Sequence, residues 1–325
     1  MSVKSDVLLK LEENKGSFFS GEELAVSLGV SRTAVWKAIK QLETEGYAIE
    51  AVPNKGYCLS DYSDVMSVEG IKAALPDRLK NIELTVLKTT GSTNTDAKQA
   101  IAAGCTHGTT FVAEKQTSGR GRRGRSFLSF EGSGIYMSVV IKPEVNVDNI
   151  VYVTTAVSVA VARAISRVAG IETEIKWVND IYFKGKKICG ILTEAVTDCE
   201  SGIIDSLVVG MGVNFSSRPE DIPDELKDTA GSLFEGEKCS ISRNLLAAEI
   251  INQVLIVCDD LKEHTFIEEY KRRSMIIGQK INVIKNDGSK KAVAEAVDDR
   301  GGLVVCYEDG TKETLNTGEV TIRRL

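Results

Sequence analysis

The sequence predicts an α+β multidomain protein: a winged helix-turn-helix first, then a mixed α/β layer domain, then a small β-barrel. Three observations carry this expectation. Two capped helical segments and a Pro-Asn-Lys-Gly hairpin turn fill residues 1–62. Over residues 63–274, short β-rich runs alternate with long apolar helical ones, the pattern of a layered domain with one substantial core. Residues 275–325 alternate strand-like runs with Asp-Gly-type turns, a pattern that a nucleic-acid-binding or docking barrel fits equally.

In the first segment, Ser20 and Glu23 form a capping box, in which each side chain satisfies the other residue's free N–H. The short helix after it stops at Gly29, and Ser31 caps a second, longer one closed by Gly46. Val35, Ala38, Ile39 and Leu42 recur at i, i+3, i+4 and i+7, so they form the buried stripe. Arg32, Thr33, Trp36, Lys37 and Lys40 fall mostly outside that stripe and are the candidate DNA-binding residues. Over residues 1–60 there are 7 basic and 8 acidic side chains, so the segment is no polycation. A helical dimerisation or docking module fits the same pattern. The absence of acids between residues 31 and 40 favours one helix docked to phosphates.

In the centre, "GRGRRGR" (119–125) sets four arginines among three glycines in a chain of net charge −6. Gly119, Gly121 and Gly124 satisfy G-x-G-x-x-G, and the stretch nearly satisfies a P-loop expression. Both motifs aim a helix N-terminus at phosphate, and both need a helix immediately afterwards. The residues after Arg125 are glycine-broken and then strand-like, so both are rejected, as is a kinase loop without HRD or DFG. A mobile ligand loop remains, with guanidinium forks suited to carboxylate and phosphate, and a nucleic-acid tract stays open on composition. In "KWVNDIYFKGKKICGIL", Lys176, Asn179 and Asp180 lie at a strand end and a Gly185 turn returns Lys187 beside them. That cluster fits either a solvated hairpin or a site for metal-bound polyphosphate. "GSTNTDA" (91–97) places donors and acceptors before a helix, and "GMGVNF" is a strand whose small residues permit close approach, ending at Asn214.

Composition narrows the chemistry. Seven scattered cysteines without a CxxC pair point to reduced thiols in a cytoplasm and to no structural zinc. His107 and His264 are the only histidines, too few for His-based metal sites or Ser-His-Asp catalysis. The amino end lacks a signal-like apolar stretch, and no apolar run approaches the roughly 20 residues needed to cross a bilayer. Global acidity gives no drive toward nucleic acid, so any such binding is local.

The order GSTN, then Q-T-S-GRGRRGR, then KW-x-ND…GKK-x-x-GIL, then G-x-GVNF resembles the biotin–protein ligases. With the helix-turn-helix in front, the whole length is similar to the bacterial bifunctional ligase/repressor (BirA-type) family. Each motif alone is weak; the four in order with matching spacing are specific. The resemblance implies a central domain of the biotin/lipoate ligase type and an SH3-like barrel at the carboxyl end. It implies synthesis of biotinyl-5′-AMP from biotin and ATP with Mg²⁺, then transfer of biotin to a lysine of a carrier protein domain. It also implies biotin-responsive repression at an operator by a ligand-promoted homodimer. By motif match, Ser92, Thr93, Asn94 and Gln116 would hold the biotin rings, and Arg120, Gly121 and Arg122 would close over biotin and the phosphates. Lys187 would contact the biotin carboxylate and α-phosphate and carry catalysis with Arg122 and Asp180. Arg122, Arg125, Lys176, Asn179, Asp180 and Asn214 would serve ATP, with Asp180 also serving the metal.

This chain departs from the family pattern in three places. Val178 stands where proline is frequent, and Phe127 where tryptophan is usual. Residues 227–238 contain no tryptophan to stack on adenine. Two other functions remain in view: a lipoate–protein ligase, and a ligand-responsive DNA-binding regulator without catalysis. The arginine-glycine loop disfavours the first; Lys187 and Asp180 together disfavour the second.

Overall fold

The computed structural model describes residues 2–143, 150–197, 204–216, 222–235, 239–285, 288–316 and 319–322. Cys199 and the end of the 227–238 segment lie outside the described residues. By packing, the chain divides into two compact units: Met1–Asn81 with Cys239–Asn252, and Ile82–Lys238 with Gln253–Leu325.

In the first unit, α1 (Val3–Glu13), α2 (Gly21–Leu28) and α3 (Arg32–Thr44) precede a hairpin of β1 (Ile49–Val52) and β2 (Gly56–Leu59). The capping box at Ser20 and Glu23 is present, and Gly29 closes α2 in the left-handed region at φ 66°. Val35, Ala38, Ile39 and Leu42 are buried as their spacing requires, and they pack with Val7, Leu8, Leu11, Leu24 and Leu59. Helix α1 did not emerge from the sequence, although Val3, Val7, Leu8 and Leu11 give it an apolar face between its charges. Phe19 and Tyr57 exchange backbone hydrogen bonds of 2.9 and 2.8 Å, which bind the start of α2 to the wing. A further helix, α4 (Val68–Ala74), completes this unit with the first part of α7 (Arg243–Asp259). Arg243 is buried there and donates from its backbone N and its Nε to Asp64, at 2.7 and 2.8 Å.

The second unit is built on a seven-stranded sheet in the order β3-β4-β5-β9-β8-β7-β6. Its strands are β3 (Leu84–Leu87), β4 (Thr110–Ala113), β5 (Gly134–Ile141), β6 (Glu174–Lys176), β7 (Asp180–Phe183), β8 (Lys186–Thr197) and β9 (Ile204–Asn214). β3 and β4 run parallel and every other pair is antiparallel, the parallel pair being joined through α5 (Thr93–Ala102). All eight residues of β5 are buried, so both faces of the sheet are covered at its middle. The run "EIKWVNDIYF" is two strands: Lys176 pairs with Asp180 around a turn that contains the cis Trp177–Val178 peptide.

Helix α6 (Ile150–Ala169) corrects one expectation. Its 20 residues are long and apolar enough to cross a membrane by length and composition. Thirteen of them are buried inside the protein, so α6 is a core helix of this unit. Helix α8 (Ile267–Arg273) comes later in the chain, and Arg163 of α6 donates to its Glu269 at 2.8 Å.

The carboxyl end is a five-stranded antiparallel sheet in the order β13-β12-β11-β10-β14. Its members are β10 (Lys280–Lys285), β11 (Gly288–Val297), β12 (Leu303–Tyr307), β13 (Lys312–Leu315) and β14 (Glu319–Ile322). Among the described residues, β13 and β14 are its two edges. Trp177 Nε1 donates to Gly301 O at 2.9 Å, which fixes this sheet beside the β6–β7 turn.

Candidate active site

The four sequence elements separated along the chain meet at one cavity in the second unit. Ser92, Thr93 and Asn94 reach it because Ser92 is the N-cap of α5 and the first turn of that helix points at the sheet. All three are buried. Gln116 ties the next loop to them: its Oε1 accepts from Thr93 N at 3.0 Å, and its Nε2 donates to Ser129 Oγ at 3.1 Å.

The arginine-glycine loop forms the cavity's wall, and it has more internal structure than its composition suggests. Arg120 and Ser126 form an antiparallel bridge, Gly121 N donates to Arg125 O at 2.7 Å, and Phe127 N donates to Gly119 O at 2.9 Å. The single turn at 122–124 is a 3-10 turn, not the helix that a P-loop or dinucleotide site needs. Arg120, Gly121, Arg122 and Arg125 all line the cavity. Arg122 Nη1 donates to Asn179 Oδ1 at 3.1 Å, which joins the loop to the β6–β7 turn. Arg123, whose φ is 56°, donates to Ile284 O at 3.4 Å and so reaches the carboxyl-terminal sheet, whose Val320 also lines the cavity.

Lys176, Asn179 and Asp180 reach the same cavity from the ends of β6 and β7, and Lys187 from β8. The Gly185 turn, at φ 75°, folds Lys187 back so that its Nζ lies 2.7 Å from Asp180 Oδ1. Asn179 is held by donation to Ile191 O at 2.9 Å. Asn214 is the exception among the expected site residues. It does not line the cavity; its Nδ2 donates to Gly231 O at 2.9 Å and ties the end of β9 to the 229–235 segment.

The small residues of "GMGVNF" have a steric reason. A Cβ added at Gly210 would overlap Asn94 Oδ1, and one at Gly212 would overlap the Phe127 ring. Phe127 therefore rests directly on the strand backbone, in edge contact with Tyr136 at 6.3 Å between centroids. The result is a cavity with two characters: neutral hydroxyls and amides at the start of α5, and fixed cations with one carboxylate around β6–β8. Such a surface suits a ligand with a neutral hydrogen-bonding head and an anionic tail.

Sequence reasoning missed Glu194, Lys98 and Ser138, which stand behind Asn94. Asn94 Nδ2 donates to Glu194 Oε2 at 2.7 Å, Lys98 Nζ donates to Glu194 Oε1 at 2.6 Å, and Ser138 Oγ donates to Asn94 Oδ1 at 2.6 Å. Burial opposes ionisation of Glu194, but the hydrogen bonds from Lys98 and Asn94, with the Arg120 charge, outweigh it and hold the carboxyl below its ordinary range. The only signal in the sequence was alternation: Leu192 and Glu194 lie on one face of β8. Among the described residues there is no group of three His, Cys, Asp or Glu side chains that could hold a metal.

In the first unit, Arg32, Thr33 and Trp36 line a groove between α3 and the wing. Lys37 and Lys40 are exposed on the same helix. Arg32 lies 3.4 Å from Glu22, and Lys40 lies 2.7 Å from Glu43.

Comparison with known proteins agrees with this geometry. Residues 86–214 match the Biotin/lipoate A/B protein ligase family, residues 3–58 an HTH domain, and residues 276–323 the Biotin protein ligase C terminal domain. The chain is 34% identical to the bifunctional ligase/repressor BirA of Bacillus subtilis, over 96% of each protein. It is 25% identical to the Escherichia coli BirA over 95% of this chain and 94% of that one. The biotin protein ligase of Aquifex aeolicus, solved in complex with biotin and ATP, superposes with a TM-score of 0.64 at 28% identity, covering 75% of this chain and 99% of that one. The three domain matches and the 34% identity over 96% of each protein together show that the chain belongs to the bifunctional biotin–protein ligase/repressor family.

Proposed function

We propose that this chain is an ATP-dependent biotin–protein ligase that also represses transcription in response to biotin. The observation that carries the reading is the cavity itself, where neutral amide and hydroxyl groups meet the Lys187–Asp180 pair and the arginine loop. Thr93, Asn94 and Gln116 offer the hydrogen-bonding groups that a cyclic urea needs. Lys187 and Arg122 bring the biotin carboxylate and the α-phosphate together by neutralising both. A carboxylate oxygen forms a bond to the α-phosphorus, the bond to the β-phosphate oxygen breaks, and pyrophosphate leaves. An acceptor lysine's amine then attacks the acyl carbon, an amide forms and AMP departs. Asp180 is placed to take the proton of that amine. The arginine loop, with Phe127 behind it, excludes water from a mixed anhydride that hydrolyses readily.

The residues present fit Mg²⁺ brought in with the polyphosphate: Asp180, the one carboxylate lining the cavity among the described residues, would be the protein group that holds it. When bound, the ion would neutralise charge on the departing pyrophosphate. Lys176, Asn179 and Arg125 serve the nucleotide. Asn214, whose Nδ2 donates to Gly231 O, supports the 229–235 segment beside the nucleotide.

We assign residues 1–62 to a winged helix-turn-helix that reads operator DNA through Arg32, Thr33, Trp36, Lys37 and Lys40. Residues 63–274 form the ligase domain, and residues 275–325 an SH3-like barrel. A few α3 cations per copy give modest phosphate affinity, and a symmetric dimer doubles them. The reading places the protein in the cytoplasm, where the carrier protein domain and the operator are both accessible. The direct test is pyrophosphate release that requires biotin and ATP together, with biotin then found on one lysine of a carrier domain. Release that is independent of biotin would overturn the reading.

A further inference from the structure

The geometry behind Asn94 points to Glu194 as a positioning residue: its carboxylate fixes which way the Asn94 carboxamide faces, and so makes Asn94 an acceptor for a ligand N–H. This role rests on the biotin reading and adds a residue to it.

Donors and acceptors can be counted along the wall. An asparagine amide has two N–H donors and one carbonyl oxygen with two lone pairs. Both donors of Asn94 are committed inward, to Glu194 Oε2 at 2.7 Å and to Leu192 O at 3.5 Å. Its Oδ1 accepts one bond, from Ser138 Oγ at 2.6 Å, which leaves one lone pair on a residue that lines the cavity. Ser138 has one proton and spends it there, so the Thr93 hydroxyl, 2.7 Å away, keeps its own proton for Gln116 Oε1 at 3.2 Å. The donor and acceptor sense of this whole wall therefore starts at Glu194.

Glu194 can do this because it has two acceptor oxygens and two donors to serve. Oε1 takes Lys98 at 2.6 Å and Oε2 takes Asn94. A glutamine at this position has one oxygen. Lys98 cannot accept a hydrogen bond, so the glutamine oxygen goes to Lys98 and its NH₂ group faces Asn94. Asn94 must then flip, which turns its NH₂ toward Ser138 and the cavity. An acceptor for a urea N–H becomes a donor that repels it. The lipoyl ring has no hydrogen-bonding N–H, so this contact also favours biotin over lipoate.

Glu194→Gln is isosteric, and the Glu194 side chain is 25% exposed, so the exchange disturbs packing little. We expect it to raise the biotin KM at least tenfold while the ATP KM stays within twofold of wild type. Lys98→Met in the same chain removes the competitor for the glutamine oxygen, which can then turn to Asn94. The double variant is expected to return the biotin KM to within threefold of wild type. Should the single variant fold poorly, the double is still expected to fold and take biotin normally. An unchanged biotin KM in Glu194→Gln, an equal rise in both KM values, or a double variant as impaired as the single overturns the proposal. Wild-type protein run alongside separates the two failures: if it does not turn over biotin with ATP, the biotin reading fails; if it does, only the role of Glu194 is lost.

Discussion

Replacing Lys187 with alanine removes a side-chain cation that lies 2.7 Å from Asp180, in a pair whose side chains are 34% and 21% exposed. A hydrogen bond to a charged group contributes about 1.5–3 kcal/mol, and each 1.4 kcal/mol is roughly tenfold in rate, so this contact alone implies about a 10- to 150-fold loss. A fixed donor aimed at charge that develops in the transition state is worth about 10²–10³ in kcat. Lys187→Ala is therefore expected to lower biotin-dependent pyrophosphate release at least a hundredfold. The fold should survive, because the strand is held there through the main chain: Lys187 N donates to Thr229 O at 2.8 Å, and Gly231 N donates to Lys187 O at 2.9 Å. The assay is continuous pyrophosphate detection at saturating biotin and ATP, with a thermal melt on the same sample. Pyrophosphate release within threefold of wild type would refute the assignment of Lys187.

Gly210→Ala drives a methyl group into Asn94 Oδ1, with Asn94 Cγ only 2.9 Å away. Such overpacking costs about 1–3 kcal/mol, so a lower melting temperature and a raised biotin KM are expected together; an unchanged biotin KM would contradict the close contact. Arg122→Gly breaks the 3.1 Å link to Asn179 and is expected to release biotinyl-5′-AMP, which then labels bystander lysines. Labelling that stays confined to the carrier domain would remove Arg122 from that role. Biotin with ATP is expected to strengthen both self-association in sedimentation and operator binding in a mobility shift, and added carrier domain to reverse both. Equal operator affinity with and without ligand would leave the amino-terminal unit a DNA binder without a sensor.

Local signals were the most legible part of the sequence. The caps at Ser20 and Ser31, the α3 stripe and the "GIYMSVVI" strand come from short-range rules and stand where those rules put them. The site was legible because its residue types are costly to place without a use: four arginines in seven positions and a lysine folded back on an aspartate. The residues behind the site were not. Lys98, Ser138 and Glu194 lie on α5, β5 and β8, as much as 96 residues apart, and only the sheet order brings them together. Asn214 shows the converse. Its motif places it by the nucleotide, and the structure adds what the motif could not show, a donation to Gly231 O set by the return of a distant loop. Helix α1 was missed because its charges obscured a regular apolar face.

The most direct test of the central claim is the mass of the adenylate that stays bound after the purified chain is incubated with ATP and biotin, or with ATP and lipoate. The account predicts biotinyl-5′-AMP in the first sample and no lipoyl-5′-AMP in the second. A bound lipoyl adenylate, or no adenylate from biotin, would contradict it.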